Sequence, residues 1–238
     1  MQLAEVTIAP RFCRPAGAGN GGYVAGLVAS FAAEPVEVRL RLPQPLGVPL
    51  GVHAREGGAL ELRAGSALLA SATPAALELE VPAAVPADAA RAAEQHYLGH
   101  RSHPEPGCFV CGPARMPGDG LRLFPGGVIH EGVPRVAATW RPDASLAGTR
   151  DRVRPEFISA ALDCPGYFAL MSEPRPALLG SLTCRIDGAV AVGEPCVVVG
   201  WRLGGEGRKH RAATALYGAA GRCVARARAV WIEPRTAG

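Results

Sequence analysis

The 238-residue sequence predicts an α+β protein made of two tandem repeats, each with one long buried helix and an antiparallel sheet. Three observations support this fold class. Residues 21–33 and 155–170 are small or apolar on nearly every side, as in a buried helix. Each segment is followed by short apolar runs separated by glycine or proline, which is typical of successive antiparallel strands. The order of elements is the same in both halves.

The first half begins with a predicted strand over 3–9, where the residues alternate and β-branched side chains favour extended backbone. A buried helix is predicted over 21–33, and Pro35 ends it because proline cannot continue a helix. Glycine and proline then separate four apolar runs. These runs predict antiparallel strands over 36–42, 50–55, 59–64 and 67–73.

Residues 83–107 are rich in alanine, proline and charge, and they predict a connector rather than part of the core. A short helix is predicted within it, over 87–96. The connector divides the chain into an N-terminal repeat over 1–82 and a C-terminal repeat over 108–238.

The second half repeats the pattern of the first. Strands are predicted over 121–124 and 136–140, before the buried helix over 155–170. Four further strands are predicted over 182–186, 196–203, 210–217 and 224–232. Asn20 aligns with Arg154 at the helix starts and Pro49 with Pro195 in the strands, so the repeat extends to individual residues.

Composition and charge indicate a folded protein. Hydrophobic residues make up 48% of the chain and charged residues 19%, and the net charge of +4 comes from scattered basic residues. We therefore expect no nucleic-acid partner. No run approaches the roughly 18 apolar residues that span a bilayer, and the first ten residues lack a basic signal region. We expect a cytoplasmic protein without a membrane partner, in which the seven cysteines are reduced thiols.

Two short motifs resemble the PaaI-type branch of the hotdog thioesterase superfamily. The first is CFVCG at 108–112, followed by GLRLF at 120–124. The second is ALDCPG at 161–166, which is similar to the helix segment in which that family carries its catalytic Asp. Together with the repeat, the chain resembles a tandem double hotdog, in which each long helix is wrapped by its own sheet. The resemblance implies an acyl-CoA thioesterase.

Each half keeps a different part of the site pattern of that family. In the family a helix begins with His-Gly-Gly, and an acidic residue lies nine positions after the His. The first helix begins with Asn20, Gly21 and Gly22 but lacks the acid, and the second has Asp163 at the matching position but no glycine pair. Because hotdog sites form between two protomers, the resemblance implies one hybrid site between the halves. The reciprocal site begins with Pro155, which has no N–H to offer, and we expect it to be inactive.

The hybrid site implies a mechanism. The free N–H groups of Gly21 and Gly22, at the positive end of the helix, would stabilise an oxyanion. Asp163 would act as general base on water or as nucleophile, and Asn20 would bond the thioester carbonyl or position water. Two alternatives stay open: Asp163 as the cap of a turn near Pro165, and Asn20 as a plain N-cap.

The expected partner is an acyl-CoA or acyl-carrier thioester. Arg208, Lys209 and Arg211 lie at a predicted hairpin, where they are either contacts for a coenzyme A phosphate or part of a solvated turn. Exposed edge strands would allow a homodimer of double hotdogs.

A second group of residues combines the ligand types that suit tetrahedral zinc: His100, His103, Cys108 and Cys111. However, the cysteine pair belongs to a motif that does not by itself imply metal, so we expect no metal and no cofactor, and a structural zinc held by these four residues stays open as the alternative. Cys164 has no histidine near it in sequence, and we expect it to be a packing residue.

Two other functions compete with a thioesterase. The missing family His and the missing carboxylate favour a non-catalytic acyl-thioester binding or scaffold protein. A double-hotdog hydratase would need an Asp and a His five residues apart at the helix start, and the sequence has no such pair.

Overall fold

The computed structural model describes residues 1–14, 17–173 and 175–235. The elements of the first half are β1 (Gln2–Thr7), β2 (Cys13–Arg14), β3 (Ala18–Gly19), α1 (Gly21–Ala29), β4 (Val36–Leu40), β5 (Pro49–Ala54), β6 (Leu60–Ala64) and β7 (Ala67–Pro74). The connector carries α2 (Ala87–Ala93). The second half contains β8 (Gly126–His130), β9 (Val133–Trp140), α3 (Pro155–Ala161), α4 (Cys164–Leu170), β10 (Leu178–Ile186), β11 (Cys196–Glu206), β12 (Lys209–Tyr217) and β13 (Cys223–Ile232).

One large antiparallel sheet joins the two halves. Its strand order is β1-β5-β6-β7-β4-β10-β13-β12-β11-β9-β8, while β2 and β3 form a separate ribbon. The first half supplies five neighbouring strands and the second half the other six. At the junction β4 pairs with β10, and Val38 lies opposite Leu182. The halves therefore share backbone hydrogen bonds as well as side-chain packing.

The helices α1 and α3 pack against each other in the core. Gly22 lies against Ala160, and Gly26 lies against Ser159, so the two helices run antiparallel. A Cβ atom at Gly26 would lie only 2.5 Å from the Cβ of Ser159, and glycine is what allows this approach. As a result, the start of α1 lies beside the end of α3.

Four aromatic rings fix the 108–112 loop against both helices. The ring of Phe12 stacks on that of Tyr23 with centroids 4.5 Å apart. Phe12 also makes edge-to-face contacts with Phe109 and Phe157, at centroid distances of 5.0 Å and 5.3 Å. Phe109 and Phe157 are fully buried. Removing a buried phenylalanine side chain typically costs about 3–5 kcal/mol, so this cluster holds the loop firmly in place.

The connector packs on the second half of the sheet. Val85 and Ala90 join an apolar cluster with Val199 and Tyr217 of the sheet. The connector also contacts the 108–112 loop, because the hydroxyl of the buried Tyr97 donates to the carbonyl of Cys111 at 2.8 Å. The prediction that the connector lies outside the core is wrong for these side chains. Its alanines supply a small apolar surface that fits closely against the strands.

The strands predicted in the meander regions are confirmed, with ends shifted by a few residues. The strand predicted over 121–124 is wrong. The N–H groups of Leu121 and Leu123 donate to the carbonyls of Phe109 and Val110, so this segment bonds to the loop that precedes it. An apolar run marks burial, and here the burial is against a loop.

The helices differ from the predictions in length. The first ends at Ala29, before the predicted end at 33. The second, predicted as one helix over 155–170, is broken into α3 and α4 at Leu162 and Asp163. None of the described helices is long and apolar enough to cross a membrane.

Candidate active site

The start of α1 and the break between α3 and α4 meet at one buried point. Asn20 is the N-cap of α1, and its Oδ1 accepts the N–H of Tyr23 at 2.9 Å. Its Nδ2 donates to Oδ2 of Asp163 at 3.1 Å, so Asn20 is both a cap and a partner of the carboxyl group. The structure thus brings together Asn20, Gly22 and Asp163 from opposite halves of the chain.

The carboxyl group of Asp163 is buried and only half satisfied. Its Oδ2 also accepts the N–H of Gly22 at 2.9 Å. Its Oδ1 is buried and has no hydrogen-bond partner among the described residues. The side chain makes no capping bond to α4, so the alternative that Asp163 caps a turn is wrong. Burying a carboxyl oxygen without a hydrogen-bond partner costs free energy. Such an oxygen is typical of sites used for chemistry or binding.

Gly22 allows this contact because it has no side chain. A Cβ atom at this position would collide with the Cβ of Asp163 and crowd the backbone of Ala160.

Burial raises the pKa of Asp163 to about 7, although the hydrogen bond from the Gly22 N–H opposes the shift.

The break before α4 presents Asp163 to α1. Pro165, in the first turn of α4, cannot donate a helical hydrogen bond. The N–H of Gly166, which would bond the carbonyl of Leu162 in a continuous helix, donates to the carbonyl of Asp163 at 3.0 Å. The carbonyl of Leu162 accepts instead from Oγ1 of the buried Thr214 at 2.8 Å. A strand of the second half therefore stabilises the bend that aims the carboxyl group at the other helix.

An apolar cleft of about 390 Å³ opens at the start of α1. Gly21, Leu179 and Ile232 line it, and Arg14 and Arg41 are its charged residues. Gly21 forms part of the wall, whereas Asp163 lies deeper, behind Gly22. The cleft is the open space next to the candidate site.

Two of the three N–H groups in the first turn of α1 have side-chain acceptors. The N–H of Gly22 donates to Asp163 and that of Tyr23 donates to Asn20. The N–H of Gly21 has no acceptor among the described residues. Among the residues that the structure describes, Gly21 therefore leaves its N–H unused at the positive end of the helix, beside the cleft that it lines.

Three thiols lie beside the carboxyl group. The sulfurs of Cys108, Cys111 and Cys164 all lie within 4.8 Å of one another, and Nδ2 of Asn20 is 3.9 Å from the sulfur of Cys108. Hydrogen bonds from the other two thiols lower the pKa of Cys108, whereas burial raises the pKa of Cys111 and of Cys164. His103 lies 3.4 Å from the sulfur of Cys111, but His100 packs instead on the ring of Tyr97. Cys164 is predicted from the sequence to be a packing residue because no histidine lies near it in sequence, and the structure places its sulfur within 4.8 Å of those of Cys108 and Cys111.

No protein-family model matches the sequence, and a search of curated proteins finds no match. Solved structures do match over nearly the whole chain. One is the tesB protein of Mycobacterium avium subspecies paratuberculosis, with 15% identity and a TM-score of 0.61 over 97% of this chain and 92% of that one. Another, from Thermobifida fusca, bears a provisional thioesterase II name and has 15% identity and a TM-score of 0.60 over 97% and 93%.

A third solved structure decides the fold. It is a protein of unknown function with a hotdog fold from Alicyclobacillus acidocaldarius, with 11% identity and a TM-score of 0.52 over 98% of this chain and 93% of that one. The chain has the hotdog fold. The predicted resemblance is confirmed at the level of the fold.

The start of α3, which corresponds to the start of α1 in the other half, lacks the groups found at the candidate site. Arg154 precedes α3 but makes no capping bond, and its Nε instead lies 3.1 Å from a carboxyl oxygen of Glu156. Pro155 supplies no N–H, and position 29, where the acid would stand, is alanine. Of the starts of α1 and α3, only that of α1 therefore combines these features among the described residues.

The predicted substrate-binding residues lie at the edge of this site. Arg208 is in the turn before β12, and Lys209 pairs with Ile232, which lines the cleft. Arg211 follows two positions later on the same strand and is exposed. Among the described residues, none of the three forms an ion pair with Asp163. The register places the hairpin near the cleft and away from the carboxyl group.

Proposed function

We propose that the protein hydrolyses an acyl thioester, carried by coenzyme A or by an acyl carrier, where Asp163 meets the start of α1. One similar solved structure is named tesB and another bears a thioesterase II name, and both names support thioester hydrolysis as the reaction. The observation that carries the proposal is the buried Oδ1 of Asp163, which has no hydrogen-bond partner among the described residues and lies beside a glycine helix start from the other half.

In the proposed reaction the thioester carbonyl lies at the start of α1. The free N–H of Gly21 and the positive end of the helix stabilise the negative charge that develops on the carbonyl oxygen. Asp163 either takes a proton from a water that attacks the carbonyl carbon, or attacks that carbon itself to form an anhydride, which water then hydrolyses to regenerate the carboxyl group. The C–S bond breaks, and the products are a carboxylic acid and a thiol.

Asn20 has a positioning role in this proposal. Its amide group caps α1 through Oδ1 and holds Asp163 through Nδ2, so one side chain fixes both the donor and the carboxyl group. A positioned carboxyl group loses less entropy on reaching the transition state than a mobile one.

The architecture that we propose is a double hotdog. The repeats are residues 1–82 and 108–238, with 83–107 as the connector. The support is the matching element order and the central contact of α1 with α3, as between the two protomers of a hotdog dimer. The exposed edges of the sheet, β1 and β8, leave room for pairing of two chains into a homodimer.

The substrate enters in this proposal through the cleft beside Gly21. The apolar wall suits the carrier arm or the acyl chain, and Arg208, Lys209 and Arg211 bind the phosphates of coenzyme A from the nearby hairpin.

One observation favours a second candidate, a binding protein without turnover. The N–H of Gly22 is already occupied by Asp163, and the exposed fractions of Asn20 and Asp163 are 0% and 1%. If this contact never opens, the protein binds an acyl thioester in the cleft without cleaving it.

Thiol release from short, long and aromatic acyl-CoAs tests the proposal. We expect turnover by the wild type and a loss of about 10²-fold or more in Asp163→Asn. The matched control is Asp88→Asn, which changes an exposed carboxyl group at the start of α2. Turnover that persists in Asp163→Asn would remove this residue from the mechanism. Tight acyl-CoA binding without thiol release would establish the binding protein.

A further inference from the structure

The three cysteines beside the candidate site come from two separate parts of the chain. Cys108 and Cys111 lie in the loop that precedes residues 120–124, and Cys164 is the first residue of α4. Their sulfurs lie within 4.8 Å of one another, and those of Cys108 and Cys164 are 3.8 Å apart. All three side chains are buried.

We propose that Cys108, Cys111 and Cys164 bind a zinc ion as three thiolates. Zinc binds thiolates at about 2.3 Å in tetrahedral geometry, which places neighbouring sulfurs about 3.8 Å apart. The separation of Cys108 and Cys164 has this value, and the sulfur of Cys111 lies within 4.8 Å of both. Soft thiolate ligands select zinc over the hard cations magnesium and calcium.

The surrounding donors fit thiolate ligands. Nδ1 of His103 accepts the N–H of Glu105 at 2.8 Å, so in the neutral ring the proton is on Nε2, which faces the sulfur of Cys111 at 3.4 Å. On the other side, Nδ2 of Asn20 points at the sulfur of Cys108. Hydrogen bonds of this kind orient metal ligands and tune them from outside the coordination sphere. His103 is therefore a positioning residue, which contacts a ligand sulfur from outside the three-thiolate set.

The loop is shaped to bring the first two sulfurs together. The N–H of Gly112 donates to the carbonyl of Cys108 at 2.9 Å, which closes a tight turn around the pair. A Cβ atom at Gly112 would lie 2.6 Å from the backbone nitrogen of Cys108, so only glycine fits this turn.

These three thiols differ from the other described cysteines because their sulfurs lie close together. Cys196 is equally buried, but it lies outside the group. A disulfide would join only two of the three sulfurs, whereas a metal ion uses all three.

The inference departs from our expectation of no metal because the structure adds Cys164, which comes from a distant part of the chain. It does not depend on the proposed thioesterase activity.

A zinc ion at this point would tie the 108–112 loop to the first residue of α4. Asp163 immediately precedes that residue, so the metal would fix the backbone that carries the carboxyl group. Binding would also release thiol protons and add to the folding free energy, because metal ligation and folding are coupled.

Metal analysis of protein purified without chelator tests the proposal. We expect about one zinc per chain in the wild type, and a loss of this zinc in Cys111→Ala and in Cys164→Ala. Cys196→Ala, which removes a buried thiol outside the group, should keep it. His103→Ala should weaken zinc binding by roughly 10- to 100-fold in a competition titration with a chelating dye.

A second measurement uses the wild type alone and does not require folded variants. Cobalt added to metal-free protein should produce intense thiolate-to-metal charge-transfer bands, which zinc then removes. The absence of these bands together with no zinc after loading would overturn the proposal. A disulfide between two of the three cysteines in freshly purified protein, or iron or copper at the same stoichiometry, would also overturn it.

Discussion

The N–H of Gly22 donates to Oδ2 of Asp163 at 2.9 Å and so joins two residues 141 positions apart. The donor is at the start of the first long helix, and the acceptor is at the break in the second. Neither half contains both groups. The candidate site therefore exists only when the two halves are packed together, and its chemistry depends on that packing.

The close approach at Gly22 predicts a sharp response to a single methyl group. Gly22→Ala places a Cβ against Asp163, and we expect a loss of about 1–3 kcal/mol in the free energy of unfolding. Chemical denaturation measures this loss. The matched control is Gly127→Ala, because nothing lies within 4 Å of a Cβ built at that glycine. Equal stability of the two variants would contradict the geometry.

The two bonds of Asn20 can be separated by substitution. Asn20→Ser keeps an N-cap for α1 but removes the donor to Asp163, whereas Asn20→Ala removes both. We expect the alanine variant to be less stable than the serine variant by about 1 kcal/mol. Thiol release should fall by at least about tenfold in both, since each loses the bond that positions the carboxyl group. Full activity in Asn20→Ser would show that the cap alone matters.

The hairpin beside the cleft predicts recognition of phosphate. In the double variant Arg208→Ala and Lys209→Ala we expect KM for acyl-CoA to rise by about tenfold, with kcat nearly unchanged. KM for the matching acyl-N-acetylcysteamine thioester, which lacks phosphates, should not change. Arg101→Ala, an exposed arginine of the connector, is the control. An equal rise for both substrates would mean that the hairpin does not read the phosphates.

The hydrogen bond from Thr214 to Leu162 predicts that the helix break needs a hydroxyl group. Thr214→Val has nearly the same shape but leaves the buried carbonyl of Leu162 unpaired, and we expect it to lower the free energy of unfolding by about 1–3 kcal/mol. Thr214→Ser retains the hydroxyl and should lose less. If valine is tolerated as well as serine, another group must satisfy the carbonyl.

Local patterns predicted the fold well because they reflect local causes. Glycine and proline limit strands and helices wherever they occur, so the strands of both meanders follow from the sequence. Local patterns failed where a partner was distant. The run at 121–124 resembles a strand but bonds to the 108–112 loop, and the helix over 155–170 breaks at Leu162, whose carbonyl is satisfied by a residue 52 positions away.

The candidate site divides in the same way. The sequence by itself determined which residue types were available: a glycine pair at one helix start, a carboxyl group in the other helix, and a cysteine pair in a short loop. Only the tertiary structure decided that Asp163 occupies the N–H of Gly22, that one carboxyl oxygen stays unpaired, and that Cys164 joins Cys108 and Cys111. The reason is physical: residue types and turns are fixed along the chain, but distances between distant residues are set by the packing of α1 against α3.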